Sequence, residues 1–319
     1  MKSFVDSVLG AAVLSIAIAL PLAAAEPQYP SHPLRIIVPF APGGASDVVG
    51  RLLAQKLGES MGQTVVVDNR AGAGANIGIG LAAKAQPDGY TLLVASSAFA
   101  VNPSLYAKAP YDPFRDFQPI TCVGSSPNIL AVHPAFPAKS VKELIDLVRT
   151  QPGKHNYAST GTGTTPHLSG EMFRLAFKLD LNHIPFNGAG PELQAMVSGQ
   201  VPVGFASVPS FAPQVKAGQL RGLAVTADQR TAVLPDVPSM GELGITGMAG
   251  DTFKACSCRP AYPSPSSRAC TKRSCRRWPG PTCASVSPGS GSSRSATRRR
   301  SSPPRSKRTS RNGARSFRK

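Results

Sequence analysis

From Leu34 onward the chain alternates short apolar runs with longer stretches whose apolar residues recur every three or four positions. The runs are LRIIVPF (34–40), TVVVDN (64–69), YTLLVAS (90–96), ILAVHP (129–134), HNYAST (155–160), LNHIPF (181–186), VPVGFAS (201–207) and LRGLAVTA (220–227). Each is bounded by Gly, Pro, Asn or Asp, as buried strands of a parallel sheet are. Between them lie helical patterns. In SDVVGRLLAQKLGES, Val48, Val49, Leu52, Leu53 and Leu57 fall on one helical face. SVKELIDLVRT opens with Ser140 and carries Glu143 three residues on, a capping box. Pro191 in AGPELQAMVSG suits a first helical turn. Strands alternating with helices predict an α/β fold with mostly parallel strands, numerous enough for two sheets, and no internal repeat is visible.

Two strand-to-helix junctions carry candidate chemistry. In VPFAPGGASDVVGRLL a strand ends at Phe40, Pro42, Gly43 and Gly44 form the loop, and a helix is predicted from Ser46 after Ala45. The glycines let the backbone approach a ligand, and a helix start presents unpaired N–H groups at the positive end of its dipole. Asp47 complements that dipole as readily as it touches a ligand. No Lys follows the glycines, which excludes a phosphate-cradling nucleotide loop. YASTGTGTTPHLSGEMF repeats the layout: Ser159, Thr160, Thr162, Thr164 and Thr165 supply hydroxyls, while Gly161 and Gly163 allow close approach. It is not a G-x-S-x-G nucleophile turn. One such loop in each half of the chain implies a ligand held between two lobes. Three or four charge-assisted hydrogen bonds, at roughly 1.5–3 kcal/mol each, supply about −8 kcal/mol, a micromolar affinity that needs no cation.

Other motifs are weaker. Gly72-x-Gly74-x-x-x-Gly78 in NRAGAGANIGIG misses the dinucleotide fingerprint by one residue, leaving a glycine-rich loop that suits a cleft wall. The histidines, His32, His133, His155, His167 and His183, have no metal-ligand spacing. Asp112, Asp116 and Asp180 lack a partner at catalytic spacing. With no nucleophile–base pair recognisable, binding is favoured over catalysis, and no cofactor or metal is expected. An exported α/β enzyme acting on a small carboxylate is the alternative.

Charge and cysteine content change the picture at the C-terminus. The formal net charge is +18, but residues 255–319 carry 17 Lys and Arg with no Asp or Glu, leaving +1 for residues 1–254. The same 65 residues hold five of the six cysteines, no Leu, Ile or Met, and one valine, Val286. Such a segment cannot bury a core. Cys256-x-Cys258 and Cys270-x4-Cys275 miss zinc-site spacing. A nucleic-acid arm fits TRRRSSPPRSKRTSR, but export argues against it. Lys2, the apolar run VLGAAVLSIAIALPLAAA and Ala23-Ala24-Ala25 before Glu26 read as a signal peptide cleaved after residue 25. The remaining reading of the tail is a shifted frame. If the true frame starts one base earlier, printed Cys, Phe, Tyr, Trp and many Ser mark apolar positions. Back-translation of residues 255 onward then permits GVFVPPGVSQPVVARLHKEVVQAL, whose apolar residues recur at helical spacing.

The segments YPSHPLRIIVPFAPGGASDVVGRLLAQKL, VVVDNRAGAGANIGIGLAAKAQPDGYTLL, YDPFRDFQPIT, HNYASTGTGTTPHLSGEMF, HIPFNGAGPELQAMVSGQV and GLAVTADQRTAVLPDVPSMGELG, in that order, resemble the tripartite tricarboxylate transporter receptors, or Bug-type solute-binding proteins. The resemblance covers about Tyr29 to Phe253. It implies a two-lobed α/β periplasmic binding protein of the type II kind, with a small carboxylate held in a cleft between lobes joined by crossing strands. The implied organisation is lobe 1 at 26–124, lobe 2 at 125–247, a return to lobe 1 at 248–254, and a basic tail, disordered or misfolded, at 255–319. The implied partners are the ligand and the membrane components of a tripartite transporter, with no nucleic acid and a monomeric receptor. The implied ligand contacts are the loop from Phe40 to Asp47 and the loop holding Ser159, Thr160, Gly161, Gly163 and Thr164, with Ala73, Ser96, Asn187, Gly188 and Ser207 further along the cleft. Many members have Asp where this chain has Ala206, so the expected ligand is a carboxylate without a free amine.

Overall fold

The computed structural model describes residues 29–260, all within one compact unit. The signal segment and residues 261–319, with Cys270, Cys275 and Val286, lie outside the described residues. Nine strands of the described residues form one sheet: β1 (Leu34–Val38), β2 (Val65–Asn69), β3 (Thr91–Ser96), β4 (Gln118–Val132), β5 (His155–Ser159), β6 (Leu181–Pro185), β7 (Val203–Ser207), β8 (Arg221–Val225) and β9 (Asp251–Cys258). Their spatial order is β2-β1-β3-β9-β4-β7-β5-β6, with β8 also on β4. The helices are α1 (Ala45–Met61), α2 (Asn76–Ala83), α3 (Ala98–Leu105), α4 (Val141–Thr150), α5 (Thr165–Ala176), α6 (Ala189–Val197) and α7 (Val208–Lys216).

Strand β4 divides the path. Its first ten residues, Gln118–Pro127, pair with β9, while Asn128–Val132 pair with β7 and β8. The chain therefore crosses from one half to the other along β4 and returns along β9. The two crossings make both halves mixed, which corrects the mostly parallel expectation. β1 is parallel to β2 and β3, and β5 to β6 and β7, but every pairing of β4 or β9 is antiparallel.

Alternation along the strands sends successive side chains to opposite layers. In the first half Ile36, Val38, Leu92 and Val94 pack with Ala54 and Leu57 of α1, while Ile37, Leu93 and Ala95 pack with Ile79 and Ala82 of α2. In the second, Leu130, Tyr157 and Phe205 meet Leu144 and Val148 of α4 and Phe173 of α5. Ile129, Ala158 and Ala206 face Ala195 and Met196 of α6 and Phe211 of α7. Helix α1 departs from the expected face: Val49 and Leu53 are only partly buried, Val48 is 61% exposed and Leu52 39%, because Gly50 presses against Val38 and turns a smaller-residue face inward. The capping box at Ser140 forms, with Glu143 N–H donating to Ser140 Oγ at 3.1 Å. The Glu143 carboxylate accepts the Lys139 N–H at 2.7 Å.

The strand β9 also moves a boundary. It continues to Cys258, four residues past the expected end of the return segment. Its backbone is paired on both sides, to β3 and to β4. Ala255, Cys256, Ser257 and Cys258 are small enough to sit in that register, and Cys256 and Cys258 join the α1-side core.

Candidate anion-binding cleft

The loop after β1 is set by glycine conformations and by one buried carboxylate. Gly43 has φ +88°, and Gly44 is the extended N-cap of α1. Asp47, in the first turn and almost fully buried, accepts the Gly43 N–H at 3.1 Å, the Asn69 amide at 3.0 Å and the Arg51 guanidinium at 3.0 Å. Burial alone raises its carboxyl pKa, but these donors outweigh burial and hold it below the usual carboxylate range.

The loop after β5 is built on a different network. Gly161 and Gly163 have φ of +133° and +85°. The Thr164 hydroxyl, at the N-cap of α5, donates to the Gly161 carbonyl at 2.6 Å and accepts from Thr160 at 3.0 Å. Beneath the loop, Ser159 Oγ accepts the Gly161 N–H at 3.2 Å and lies 2.7 Å from His183 Nε2. The Gly163 N–H donates to His167 Nδ1 at 3.2 Å. The two imidazoles pack 4.3 Å apart and Tyr157 stacks on His183. Burial, followed by the neighbouring His167, pulls the His183 pKa down to about 4, and burial lowers that of His167 too.

A nucleophile–base pair, Ser159 with His183, is thus present although spacing along the chain does not reveal it. Ser159 is fully buried, so its hydroxyl has no access to a substrate. The pair holds the loop. Among the described residues no three His, Cys, Asp or Glu side chains gather to hold a metal.

The two loops face each other across a narrow cleft. The Ala41 N–H donates to the Asn187 carbonyl at 2.9 Å, and the Ala45 N–H to Ser210 Oγ at 3.3 Å. The Thr165 and Thr252 hydroxyls are hydrogen-bonded. Between the loops lies a cavity of about 30 Å³, room for about two or three water molecules. Its wall contains the first residues of four helices: Ala45 and Ser46 of α1, Thr165 and Pro166 of α5, Ala189 of α6, and Ser207 and Ser210 at the start of α7. Ser96, Thr160 and Thr252 add hydroxyls, and no Asp or Glu lines it. Four positive dipole ends and a ring of hydroxyls, without a carboxylate, make a site that favours an anion.

Of the sequence-predicted residues, Phe40, Gly44, Ala45, Ser46, Ser96, Thr160, Thr164 and Ser207 line this cavity. Gly43, Asp47, Ser159, Gly161 and Gly163 stand behind it as loop supports. Asn187 joins the cross-cleft hydrogen bond, and Pro42 and Gly188 sit in tight backbone contacts across the cleft. Ala73, at φ +49°, does not line the cavity; it adjoins Gly74, which abuts the Thr162 carbonyl. Ala206 packs into the core with Ile129 and Ala158, while its neighbour Ser207 turns to the cavity. Sequence reasoning missed Pro166, Ala189, Ser210, Thr252 and Lys254 as lining residues and named Thr165 only as a hydroxyl source. The helix starts at Ala189 and Ser210 were findable from GAGP and SVPS; Thr252 and Lys254, on an unpredicted strand, carried no signal.

The family model described as "Tripartite tricarboxylate transporter family receptor" matches residues 49–258. The chain belongs to this receptor family. The receptor is 39% identical over 240 residues to protein BugT of Bordetella pertussis (strain Tohama I), covering 75% of this chain and 73% of that protein. It matches R. palustris Rpa4515, solved with adipate, at 31% identity and TM-score 0.74, covering 77% and 83% of the two chains. It matches MatC (Rpa3494) from Rhodopseudomonas palustris, solved with bound malate, at 30% identity and TM-score 0.72, covering 78% and 86%. The receptor is a solute-binding protein of a periplasmic family, not an enzyme.

Proposed function

We propose that this receptor captures a small carboxylate in the cleft and hands it to the membrane components of a tripartite transporter. The observation that carries the reading is the convergence of four helix N-termini on one cavity that no acidic side chain lines. Adipate in one relative and malate in another support the ligand class. The contacts we assign are the loop residues Gly44–Ser46, Thr160 and Thr164, with Ser96 and Ser207. Pro42, Gly43, Asp47, Ser159, Gly161, Gly163, Asn187 and Gly188 keep the two loops in register.

The same reading takes residues 26–124 with the returning strand as one lobe and 125–247 as the other, closing on the ligand. Export follows cleavage after Ala25. A ligand without a free amine fits a wall that offers donors and no carboxylate to receive an ammonium. Isothermal titration with malate, adipate, succinate, butyrate and aspartate tests the reading. Micromolar binding of a simple carboxylate supports it; binding of the amino acid alone, or of none, sinks it.

The C-terminal coding frame is the second part of the proposal. We read residues after about Lys254 as out of frame with the family's C-terminal segment. Two features support it: the family match ends at 258, and Cys256 and Cys258 occupy buried, apolar-lined positions where the shifted frame reads valine.

A further inference from the structure

One charged side chain lines the cavity, and the mechanism so far makes no use of it. Lys254 lies on β9 between Ser96 of β3 and Gly124 of β4. Along a strand, every second residue shares a face, so Lys254 projects on the side of Thr252 and Cys256. Cys256 and Cys258 pack against Ala54 and Leu57 of α1. Two residues nearer the cleft, Lys254 therefore sits by the beginning of α1, where Ala45 and Ser46 line the same cavity. Thr252, its neighbour on that face, reaches across to Thr165 and to Asn128.

The electrostatics of this position are unusual. A helix N-terminus carries a partial positive charge, and an ammonium beside it is repelled unless an anion lies between them. Among the described residues no carboxylate pairs with the Lys254 ammonium, and it makes no hydrogen bond to them. Burial pulls its pKa down to about 7, with no neighbouring charge adding to the shift. Among the described residues nothing supplies this cation with a counter-charge.

We propose that Lys254 anchors the second carboxylate of a dicarboxylate whose first carboxylate is held by the N–H groups and hydroxyls of the two loops. The assignment rests on the carboxylate-receptor reading and adds a residue and a charge requirement to it. The loop donors alone accept a monoanion. With Lys254 the cavity presents one full positive charge in addition to the helix ends, and a ligand carrying two negative charges matches it. A charge-assisted hydrogen bond to that ammonium favours the dicarboxylate by about ten- to a hundredfold.

The test compares the full chain with Lys254→Gln and Lys254→Arg, all at pH 6.5, by calorimetric titration with succinate, butyrate and inorganic phosphate. Succinate is expected to bind the unaltered chain at least about tenfold tighter than butyrate. Lys254→Gln is expected to reduce that succinate-to-butyrate ratio by about tenfold or more, and Lys254→Arg to restore most of it. An unchanged ratio in Lys254→Gln, or no preference for succinate in the unaltered chain, overturns the assignment while leaving the receptor reading intact. Failure of the unaltered chain to bind either carboxylate, or tighter binding of phosphate than of both, overturns the receptor reading and this assignment with it. Melting curves of the three chains separate a folding defect from a binding defect, since Lys254→Arg controls for the loss of side-chain bulk.

Discussion

The hydroxyl of Ser159 lies 2.7 Å from Nε2 of His183, and the same oxygen accepts the Gly161 N–H. The Ser159 hydroxyl either donates to Nε2 or accepts from it, according to the imidazole tautomer, and burial keeps that imidazole neutral. The loop that forms one side of the cleft therefore stands on a neutral histidine. Its folded pKa, about 4, lies below the ordinary value near 6.5. The stabilisation is fully present above pH about 6.5 and is lost as the pH falls toward 4. After allowance for partial exposure the loss is about 2 kcal/mol. Urea midpoints between pH 4 and 7 should fall over this window, with His167 contributing, and His183→Gln should flatten much of the dependence. A midpoint independent of pH in both chains would refute the neutral pair.

Gly190 closes the cleft by lacking a side chain. A Cβ placed there would stand 2.4 Å from the carbonyl oxygen of Pro42, on the opposite loop. Gly190→Ala should therefore hold the loops apart and stretch the nearby Ala41-to-Asn187 hydrogen bond. A loss of one such bond, about 1 kcal/mol, with incomplete closure, predicts ligand affinity weakened by about tenfold or more. Small-angle scattering with saturating succinate should show a larger radius of gyration than in the unaltered chain. Equal affinity and equal radius would show that the contact is incidental.

Glu192, in the first turn of α6, is fully buried, and neither carboxylate oxygen has a partner among the described residues. Burial raises its pKa well above the ordinary range. For a raised carboxyl, stability is present below the unfolded pKa and declines as pH rises until the folded pKa is passed. Glu192→Gln removes that dependence, so at pH 8 it should be more stable than the unaltered chain by about 1 kcal/mol or more. At pH 4.5 the two should be close. Thermal melts at the two pH values decide it; a destabilised Gln variant at pH 8 would mean the charged acid has a partner.

Strands β1, β2, β3, β5, β6, β7 and β8 were legible because each is a run of apolar or aromatic residues cut off by turn formers. The crossing strands were not. The first ten residues of β4, Gln118–Pro127, contain Pro119, Gly124 and three hydroxyl residues, and most of them keep some exposure. They are strands because β9 pairs with them, a contact more than a hundred residues away in sequence. Helix α3 contains Pro103 and α7 contains Pro213 in its interior, so propensity argued against both. The cleft loops could be read from their glycines and hydroxyls. The supports could not: Asn69 reaches Asp47 across 22 residues, and His183 reaches Ser159 across 24.

The shifted-frame reading makes a structural prediction at two cysteines. Cys256 and Cys258 lie among Ile36, Val38, Leu92 and Val94. Restoring valine at both adds apolar volume to a core already lined by branched side chains, worth about 0.5–1 kcal/mol per site if the packing accommodates it. A gene corrected by one base, coding GVFVPPGVSQPVVARLHKEVVQAL after residue 254, should give a monomer that melts at least about 10 °C above the printed chain. The printed chain should stay soluble enough to titrate but melt lower, because its basic tail holds no Leu, Ile or Met and a single valine to bury. A single cooperative transition at equal temperature in both would remove the reason for the correction. So would gene sequences from related strains that keep the printed tail in frame.

Lys254 predicts opposite pH responses for the empty and the loaded receptor. Its folded pKa is depressed to about 7 by burial, against about 10.5 when unfolded. Between those values the unfolded chain binds more protons, so the stability of the empty protein should rise with pH from about 7 to 10.5. No other charged group contributes to this shift, which leaves the lysine as its source. A bound dicarboxylate reverses the preference, because the ammonium is then paired. Succinate binding should therefore take up a proton near pH 7.5 and weaken as the pH rises toward 9. Calorimetry in buffers of different ionisation enthalpy counts that proton directly. Uptake near pH 7.5 that disappears in Lys254→Gln supports an ammonium at the ligand; the same uptake in both chains would assign the proton to another group.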